Sequence, residues 1–387
     1  MAFKILVVDD EPDVELLIRQ RFRRKIRDGG FNFEFALNGE EALAKIHSDE
    51  SIDIVMSDIN MPVMDGLTLL SRLREMDRLL RTVVVSAYGD MQNIRVAMNR
   101  GAYDFLTKPI DFEDFEITIQ KTIQEIEGVR AGHQARKQLD DMEKELNVAN
   151  RIQQSMLPRT FPPFPDRTQF EIYAAMEPAH SVGGDFYDFF LIDETRLGFV
   201  IGDVSGKGVP AALFMAVTRT LLRATAMQGG SAAECIRYVN NVLAKQGEGT
   251  MYVTLLYAIL DTATGKVDHC SAGHHAPLVF AKGDTSPRHA GEGGGLIAGL
   301  YDWAPYSGGT LQLTPGDCLL LYTDGVTETF DSSGAMFGNA GMENNLRGNT
   351  GAPVEEIVKG LLSEVRGFLG SAPQSDDMTA LAVRYLG

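Results

Sequence analysis

Three aspartates in the first sixty residues fall where apolar runs stop. The run KILVV, residues 4–8, leads into Asp9 and Asp10, and IVMS, residues 54–57, leads into Asp58. A later run ends on a hydroxyl, Ser86, and another on Lys108, followed by Pro109. In a doubly wound sheet, ligands bind at the carboxyl ends of the strands, so these side chains are expected to meet at one edge. Gathered carboxylates repel unless a cation joins them, and a hard, oxygen-rich site suits Mg²⁺. A hydroxyl donor and an ammonium beside a metal-bound carboxylate are the parts that hold a transferred phosphoryl group. Each residue alone reads as a helix cap or turn residue. The ordered set carries the chemistry.

A second acidic set lies in four segments after residue 165. PAHSVGGDFYD contains Asp185, FVIGDVSGKG contains Asp203, LLLYTDGVTE contains Asp324, and SDDMTALAV contains Asp376 and Asp377. Brought to one edge of packed sheets, these carboxylates need divalent cations between them. Two bridged cations are a recurring solution for phosphoester hydrolysis. The glycines of VGGD, GDVSGKG and TDGV let the backbone approach closely, so that a carbonyl can also act as a ligand. GDVSGKG lacks the GxxxxGK[ST] spacing of a nucleotide loop and is not read as one. His274 and His275 of SAGHHAP point to opposite faces of an extended segment. They read as packing or substrate-side residues.

The elements that must position these groups follow from the apolar pattern. Strands are expected at 4–8, 32–36, 52–57, 82–86 and 103–107, with amphipathic helices at 14–27, 39–47, 67–75 and 91–99 between them. This alternation predicts a five-stranded parallel, doubly wound α/β sheet. From Phe112 the pattern becomes helical. Ile119, Ile123 and Ile126 form one apolar run; Leu139, Met142, Leu146, Ala149 and, after a polar Gln153, Met156 form another, out of phase with the first. With Gly128 and Gly132 between them, two helical segments with a stutter or break are expected. The four prolines of LPRTFPPFP, residues 157–165, end the helix. Beyond it, strands at 169–175, 196–202, 252–261, 266–271, 278–281, 318–323 and 379–385, with helices at 210–225, 232–244 and 353–369, predict an α+β domain of antiparallel sheets. The expected boundaries are 1–125, a helical, coiled-coil-like linker at 126–165, and 166–387.

ILVVDDEPDV, IVMSDINMPVMDG, VVSAYGD and GAYDFLTKPID resemble the receiver domains of two-component response regulators. That resemblance implies a flavodoxin-like fold with Asp58 as phosphoacceptor and Mg²⁺ held by Asp10, Asp58 and the carbonyl of Asn60, with Asp9 in support. Ser86 would contact the phosphoryl group, Lys108 would pair with it through a site flanked by a cis Lys108–Pro109 bond, and Phe105 would be the aromatic switch. An upstream histidine kinase or phosphotransfer protein is implied as the donor. NVANRIQQSMLP, the four acidic segments, SAGHHAPLV and TPGDCLLLYTDGVTE resemble the sporulation-stage-two-E-like branch of the PPM protein phosphatases. This implies a two-sheet sandwich with two Mn²⁺ or Mg²⁺ ions, held by Asp185, Asp203, Asp324 and Asp376 and the carbonyl of Val204, with Asp377 at a variable position. It also implies hydrolysis of phosphoserine or phosphothreonine by metal-bound water without a covalent intermediate, often on an anti-anti-sigma factor. Some members of the superfamily have lost their ligands and serve as adaptors for a sigma factor or its regulator; here all four aspartates are present.

Composition narrows the alternatives. A formal charge of −17 repels a phosphate backbone, so no nucleic-acid role is expected. The basic run Arg19–Arg27 reads as a solvated helix face. No apolar run approaches the ~20 residues of a membrane span. Three widely spaced cysteines, Cys235, Cys270 and Cys318, indicate no disulfide framework and fit a reducing cytoplasm. The linker seam needs a partner surface, and a homodimer through it is expected. The helical residues Val209–Val217, just after GDVSGKG, are placed to couple the linker to Asp203.

Overall fold

In the computed structural model, which describes residues 3–387 apart from 77, 88, 247–249, 282–283, 285–286, 292 and 348, the first strand shows why one sheet is covered on both faces. Ile5 and Val7 of β1 (Phe3–Val8) join one apolar cluster, while Leu6 and Val8 join another on the opposite side. Strands buried on both faces belong in a parallel sheet. The strands β1, β2 (Phe31–Ala36), β3 (Ile52–Asp58), β4 (Arg81–Ala87) and β5 (Asp104–Lys108) pair in parallel in the order β2-β1-β3-β4-β5. Helices α1 (Asp13–Arg21), α2 (Arg23–Arg27), α3 (Gly39–Ser48), α4 (Gly66–Arg74) and α5 (Met91–Asn99) connect them. The doubly wound sheet expected from the alternating pattern is therefore present. Tyr88 of the VVSAYGD segment lies outside the described residues.

Two helical expectations are corrected. The helix read at 14–27 is divided at Phe22, which is buried among Phe31, Phe33 and Phe115 and has left helical backbone geometry at φ −95°, ψ 12°. The break expected near Gly128 and Gly132 does not occur: α6 runs unbroken over Phe112–Met156. A glycine costs a helix interior only about 1 kcal/mol relative to alanine, and the stretch around both glycines is rich in strong helix formers. The first apolar run of α6 is used locally, since Ile119 and Ile126 are buried in the cluster beneath β1 and β3. Leu139 and Met142 of the second run are each 62% exposed.

The contacts divide the chain into two compact units, Met1–Asp141 and Met142–Gly387. In the second unit, β6 (Phe170–Glu177), β7 (Phe186–Leu191), β8 (Arg196–Val204), β9 (Val253–Asp261), β10 (Lys266–Ala272), β11 (Leu278–Phe280), β12 (Arg288–His289), β13 (Gly294–Gly295), β14 (Gly309–Gln312), β15 (Cys318–Tyr322) and β16 (Met378–Tyr385) build two sheets. One has the order β13-β10-β9-β8-β7 with β14 beside β10; the other has the order β12-β11-β15-β16-β6. The period of two along β16 explains the layering. Leu381, Val383 and Tyr385 face the core shared with the first sheet, while Met378, Ala380 and Ala382 face the opposite side. That outer side is covered by α10 (Gly338–Arg347) and α11 (Val354–Leu369), whose Val354, Ile357, Val358, Leu361, Leu362 and Val365 form one buried stripe. On the first sheet lie α7 (Gly208–Ala226) and α8 (Ala232–Gln246), and a short α9 (Asp324–Thr327) follows β15. Among the described residues, no helix is long and apolar enough to cross a membrane. The three cysteines are free and buried, and burial pushes each thiol up to about 12.

Strand β7 was not foreseen, because FYDFFL is apolar on both faces except for Asp188. That carboxylate is fully buried and ion-paired to Arg219 at 2.9 Å and Arg223 at 3.1 Å, one turn apart on α7. Burial raises its pKa, and the two guanidinium groups oppose that rise. Asp188→Ala leaves the mostly buried Arg219 without its counter-charge. Unfolding of the full chain in denaturant should show a loss of about 3 kcal/mol; an unchanged midpoint would contradict this role.

Candidate functional site

The carboxyl ends of β1, β3 and β5 bring the first acidic set together. Carboxylate oxygens of Asp9, Asp10 and Asp58 all lie within 4.8 Å of one another. Asp9 and Asp58 are buried and Asp10 is exposed, so the cluster opens to solvent on one side. The ammonium of Lys108 contacts Asp58, lies 2.9 Å from Asp9, and reaches Glu11 at 3.4 Å. Burial works against the charge on Lys108, but its bonds to Asp58 and Asp9 outweigh it and raise the pKa. For Asp9 burial wins: it raises the pKa, opposed by the Glu11 amide and by Lys108. The backbone amide of Asn60 donates to Asp58 Oδ1 at 3.0 Å, which leaves the Asn60 carbonyl free of that bond. Ser86 is fully buried on β4, and its hydroxyl donates to Asp90 at 3.3 Å. Phe105, on β5, is 38% exposed. The Lys108–Pro109 peptide is cis. Glu11 and Asp90 were not anticipated; both are polar residues just beyond the strand ends, the one signal that could have flagged them.

The second set converges from both sheets of the other unit. Asp203 lies at the end of β8, Asp324 opens α9 after β15, and Asp376 and Asp377 precede β16. Asp185 immediately precedes β7. Asp203 is the hub: its carboxyl meets that of Asp185 and feels the charges of Asp324, Asp376 and Asp377. Burial, then repulsion from Asp324 and Asp376, pushes it up to about 7. Asp185 is raised well above the ordinary carboxylate range by burial, Asp203 and Asp377. Asp324 is raised by burial and then by Asp376. The five interact as neighbours around Asp203, although, among the described residues, only the Asp9–Asp10–Asp58 set places three such ligand atoms all within 4.8 Å.

Two observations test whether this set suits divalent cations. Every donor is a hard oxygen, the kind Mg²⁺ and Mn²⁺ prefer. The backbone also closes on the cluster: a Cβ built on Gly184 would lie 2.6 Å from the Val204 carbonyl oxygen, so only glycine leaves that carbonyl clear beside Asp185. The donor set fits the ions.

Other residues hold the acids in place. The hydroxyls of Thr323 (2.8 Å) and Thr379 both donate to Asp185 Oδ2. Asp377 accepts the backbone amides of Ala179 at 2.8 Å and Asp185 at 3.3 Å, so its carboxylate is occupied in holding the loop before β7. Lys207 of GDVSGKG donates to the Ser375 carbonyl and lies 3.7 Å from Asp376. His274 joins the sheets. Its Nδ1 accepts from Thr254, the β9 residue opposite Asp203, at 2.9 Å, and Nε2 donates to the Tyr322 carbonyl at 3.0 Å. Burial and His275 push its pKa down to about 3, which keeps the ring neutral for these two roles. His275 is exposed and stacks on Tyr322. His274 thus ties β9, the neighbour of the strand that carries Asp203, to β15, the strand that leads into Asp324. Val209, Leu213 and Val217 form an exposed apolar row on α7.

This fold, a two-sheet sandwich with acids at one edge, is that of PP2C domains. It matches the SiaA-PP2C domain of Pseudomonas aeruginosa with a TM-score of 0.57 at 20% identity, covering 64% of this chain and 98% of that one. A model described as Stage II sporulation protein E (SpoIIE) matches residues 193–386, and one described as Response regulator receiver domain matches residues 5–120. The chain belongs to the SpoIIE family and carries a receiver domain ahead of the family domain. Among its relatives, Protein IcfG of Synechocystis sp. is 32% identical over 62% of this chain, a match spanning only 41% of IcfG's own length. Phosphoserine phosphatase RsbU of Bacillus subtilis is 25% identical over 63% of this chain and 71% of that protein.

Asp203→Asn removes one charge from the centre of the repelling set. In chelator the variant should melt above the unsubstituted chain. With Mn²⁺ at about 100 times its dissociation constant, which stabilises a binding protein by about 2.7 kcal/mol, the order should reverse. Scanning calorimetry reads both arms, and parallel shifts in the two conditions would contradict the clustering.

Proposed function

We propose that the chain is a metal-dependent protein serine/threonine phosphatase governed by phosphorylation of its receiver at Asp58. One observation carries the reading: acidic side chains from three other segments surround Asp203, beside a carbonyl kept clear by Gly184. Asp185, Asp203, Asp324 and Asp376, with the carbonyl of Val204, would hold two Mn²⁺ or Mg²⁺ ions. Asp377 serves the loop instead, through its bonds to the Ala179 and Asp185 amides. Bound there, the ions would supply activation of water and neutralisation of the phosphoryl oxygens of a phosphoserine or phosphothreonine. The chain's own residues position the reaction. Thr323 and Thr379 occupy one oxygen of Asp185 and aim the other toward Asp203. His274, held neutral, fixes the β9 and β15 ends, and Lys207 lies beside Asp376 at the exposed side of the cluster.

In the receiver, Asp10, Asp58 and the Asn60 carbonyl would hold Mg²⁺, with Asp9 in support. Lys108, already bound to Asp58 and Asp9, would follow the charge to the phosphoryl group, and Ser86 would exchange its bond to Asp90 for one to that group. Phe105 is the aromatic residue that answers this change. A histidine kinase or phosphotransfer protein supplies the phosphoryl group. The likeness to Phosphoserine phosphatase RsbU supports a phosphoserine substrate, and an anti-anti-sigma factor is the substrate the family resemblance implies. The exposed Leu139 and Met142 of α6 support a homodimer through the linker, and the exposed row on α7 supplies a face that a moving linker could engage.

Hydrolysis of a phosphoserine peptide by the full chain should require Mn²⁺ or Mg²⁺, stop in chelator, and fall at least about 100-fold in Asp203→Ala, the scale on which lost metal-site groups cost activity. Beryllofluoride with Mg²⁺ should change the rate of the unsubstituted chain and leave Asp58→Asn unmoved. Turnover that persists in chelator would overturn the metal centre, and no turnover from any form, the unsubstituted chain included, would replace the enzyme with an adaptor that binds its target without hydrolysis.

A further inference from the structure

Gln153 interrupts an otherwise apolar seam of α6, and its surroundings explain why. It is 4% exposed. Its Nε2 donates to the Gly183 carbonyl at 2.6 Å, and its Oε1 accepts the Gly183 amide at 3.2 Å. A carboxamide is the side chain that offers one donor and one acceptor to a single residue's backbone in this way. One turn earlier, Asn150 donates to the Ser181 carbonyl. On the other side of the same backbone lies Asp377: a Cβ on Gly183 would fall 1.9 Å from its Oδ2. Gly183 is thus gripped between the helix and Asp377, two residues before Asp185 and next to Gly184, which faces the Val204 carbonyl.

We infer that Gln153 is a positioning residue for the second acidic site, one that sets where Asp185 and the Val204 carbonyl stand by clamping the backbone of Gly183. This deepens the phosphatase reading and rests on it. Burial alone would favour an apolar residue at this position. Among the described residues Gly183 pairs with no strand, and both of its backbone groups take their hydrogen bonds from Gln153 on the helix. The clamp therefore makes the geometry of the metal ligands depend on the placement of residues 150–153.

The test uses the full chain with Gln153→Leu, Gln153→Glu and Asn150→Ala. Tyr187→Phe, which removes a bond to the Pro158 carbonyl near the same helix end, is the control. Calorimetric titration with Mn²⁺ alone should show affinity weakened roughly tenfold in both Gln153 variants and less in Asn150→Ala, in the range found when groups orienting metal ligands are removed. On a phosphoserine peptide at saturating Mn²⁺, kcat should fall while KM holds, and Tyr187→Phe should match the unsubstituted chain in both assays. If Gln153→Leu does not fold, as judged by its melting in chelator, Gln153→Glu and Asn150→Ala decide the outcome. Folded Gln153 variants that bind Mn²⁺ and turn over like the unsubstituted chain would overturn the clamp. So would an equal loss in Tyr187→Phe, which would mark general loosening. An unsubstituted chain that neither binds Mn²⁺ nor hydrolyses the peptide would overturn the phosphatase reading and the clamp with it.

Discussion

Electrostatic repulsion among buried carboxylates is the constraint around which the second unit is built. Five acidic side chains gather at Asp203 from the ends or entries of β7, β8, β15 and β16. Burial makes charge on Asp185, Asp203 and Asp324 costlier, and neighbours of the same sign add to that cost. Such an arrangement persists only because strong packing elsewhere holds the strands in register and because something positive can enter. The inner core of Phe186, Phe199, Leu256, Leu319 and Leu381, among others, supplies the first condition. The polar scaffold supplies direction: Thr323 and Thr379 bond to Asp185, Gln153 to the backbone of Gly183, and His274 to Thr254 and the Tyr322 carbonyl.

The receiver solves the same problem differently. There, three carboxylates come closer together than in the second unit, but Lys108 lies among them and bonds to two. A fixed cation lets the cluster stand without metal and leaves Asp58 held, ready for a group that Lys108 can also bind. The lysine beside the second set, Lys207, lies at its exposed side, 3.7 Å from Asp376 and away from Asp203. The two sites therefore differ in their demand for divalent ions, and this difference follows from where one lysine sits.

Much of this was legible in the sequence because the chemistry sits at the ends of apolar runs. Asp58 and Asp203 each close a strand whose hydrophobic pattern announces it, so strand ends and acids were read together. The unreadable parts depend on distant partners. Nothing in FYDFFL reveals that Asp188 pairs with Arg219 and Arg223 on a helix further along the chain, and no strand was expected there. Gln153 looked like a flaw in a heptad until Gly183 was placed against it. Strand geometry separated His274 from His275, but the bridge His274 makes between Thr254 and Tyr322 needs both sheets in place. Gly128 and Gly132 misled in the opposite direction: glycine weakens a helix by an amount its neighbours easily offset.

The second unit can act as proposed only if cations share the ring of oxygens around Asp203. The most direct measurement is anomalous diffraction at the manganese edge from a crystal of the full chain grown with Mn²⁺. Two peaks should appear among Asp185, Asp203, Asp324, Asp376 and the Val204 carbonyl, with Asp377 still bonded to the loop amides. An ordered site without anomalous density there would contradict the metal-dependent mechanism.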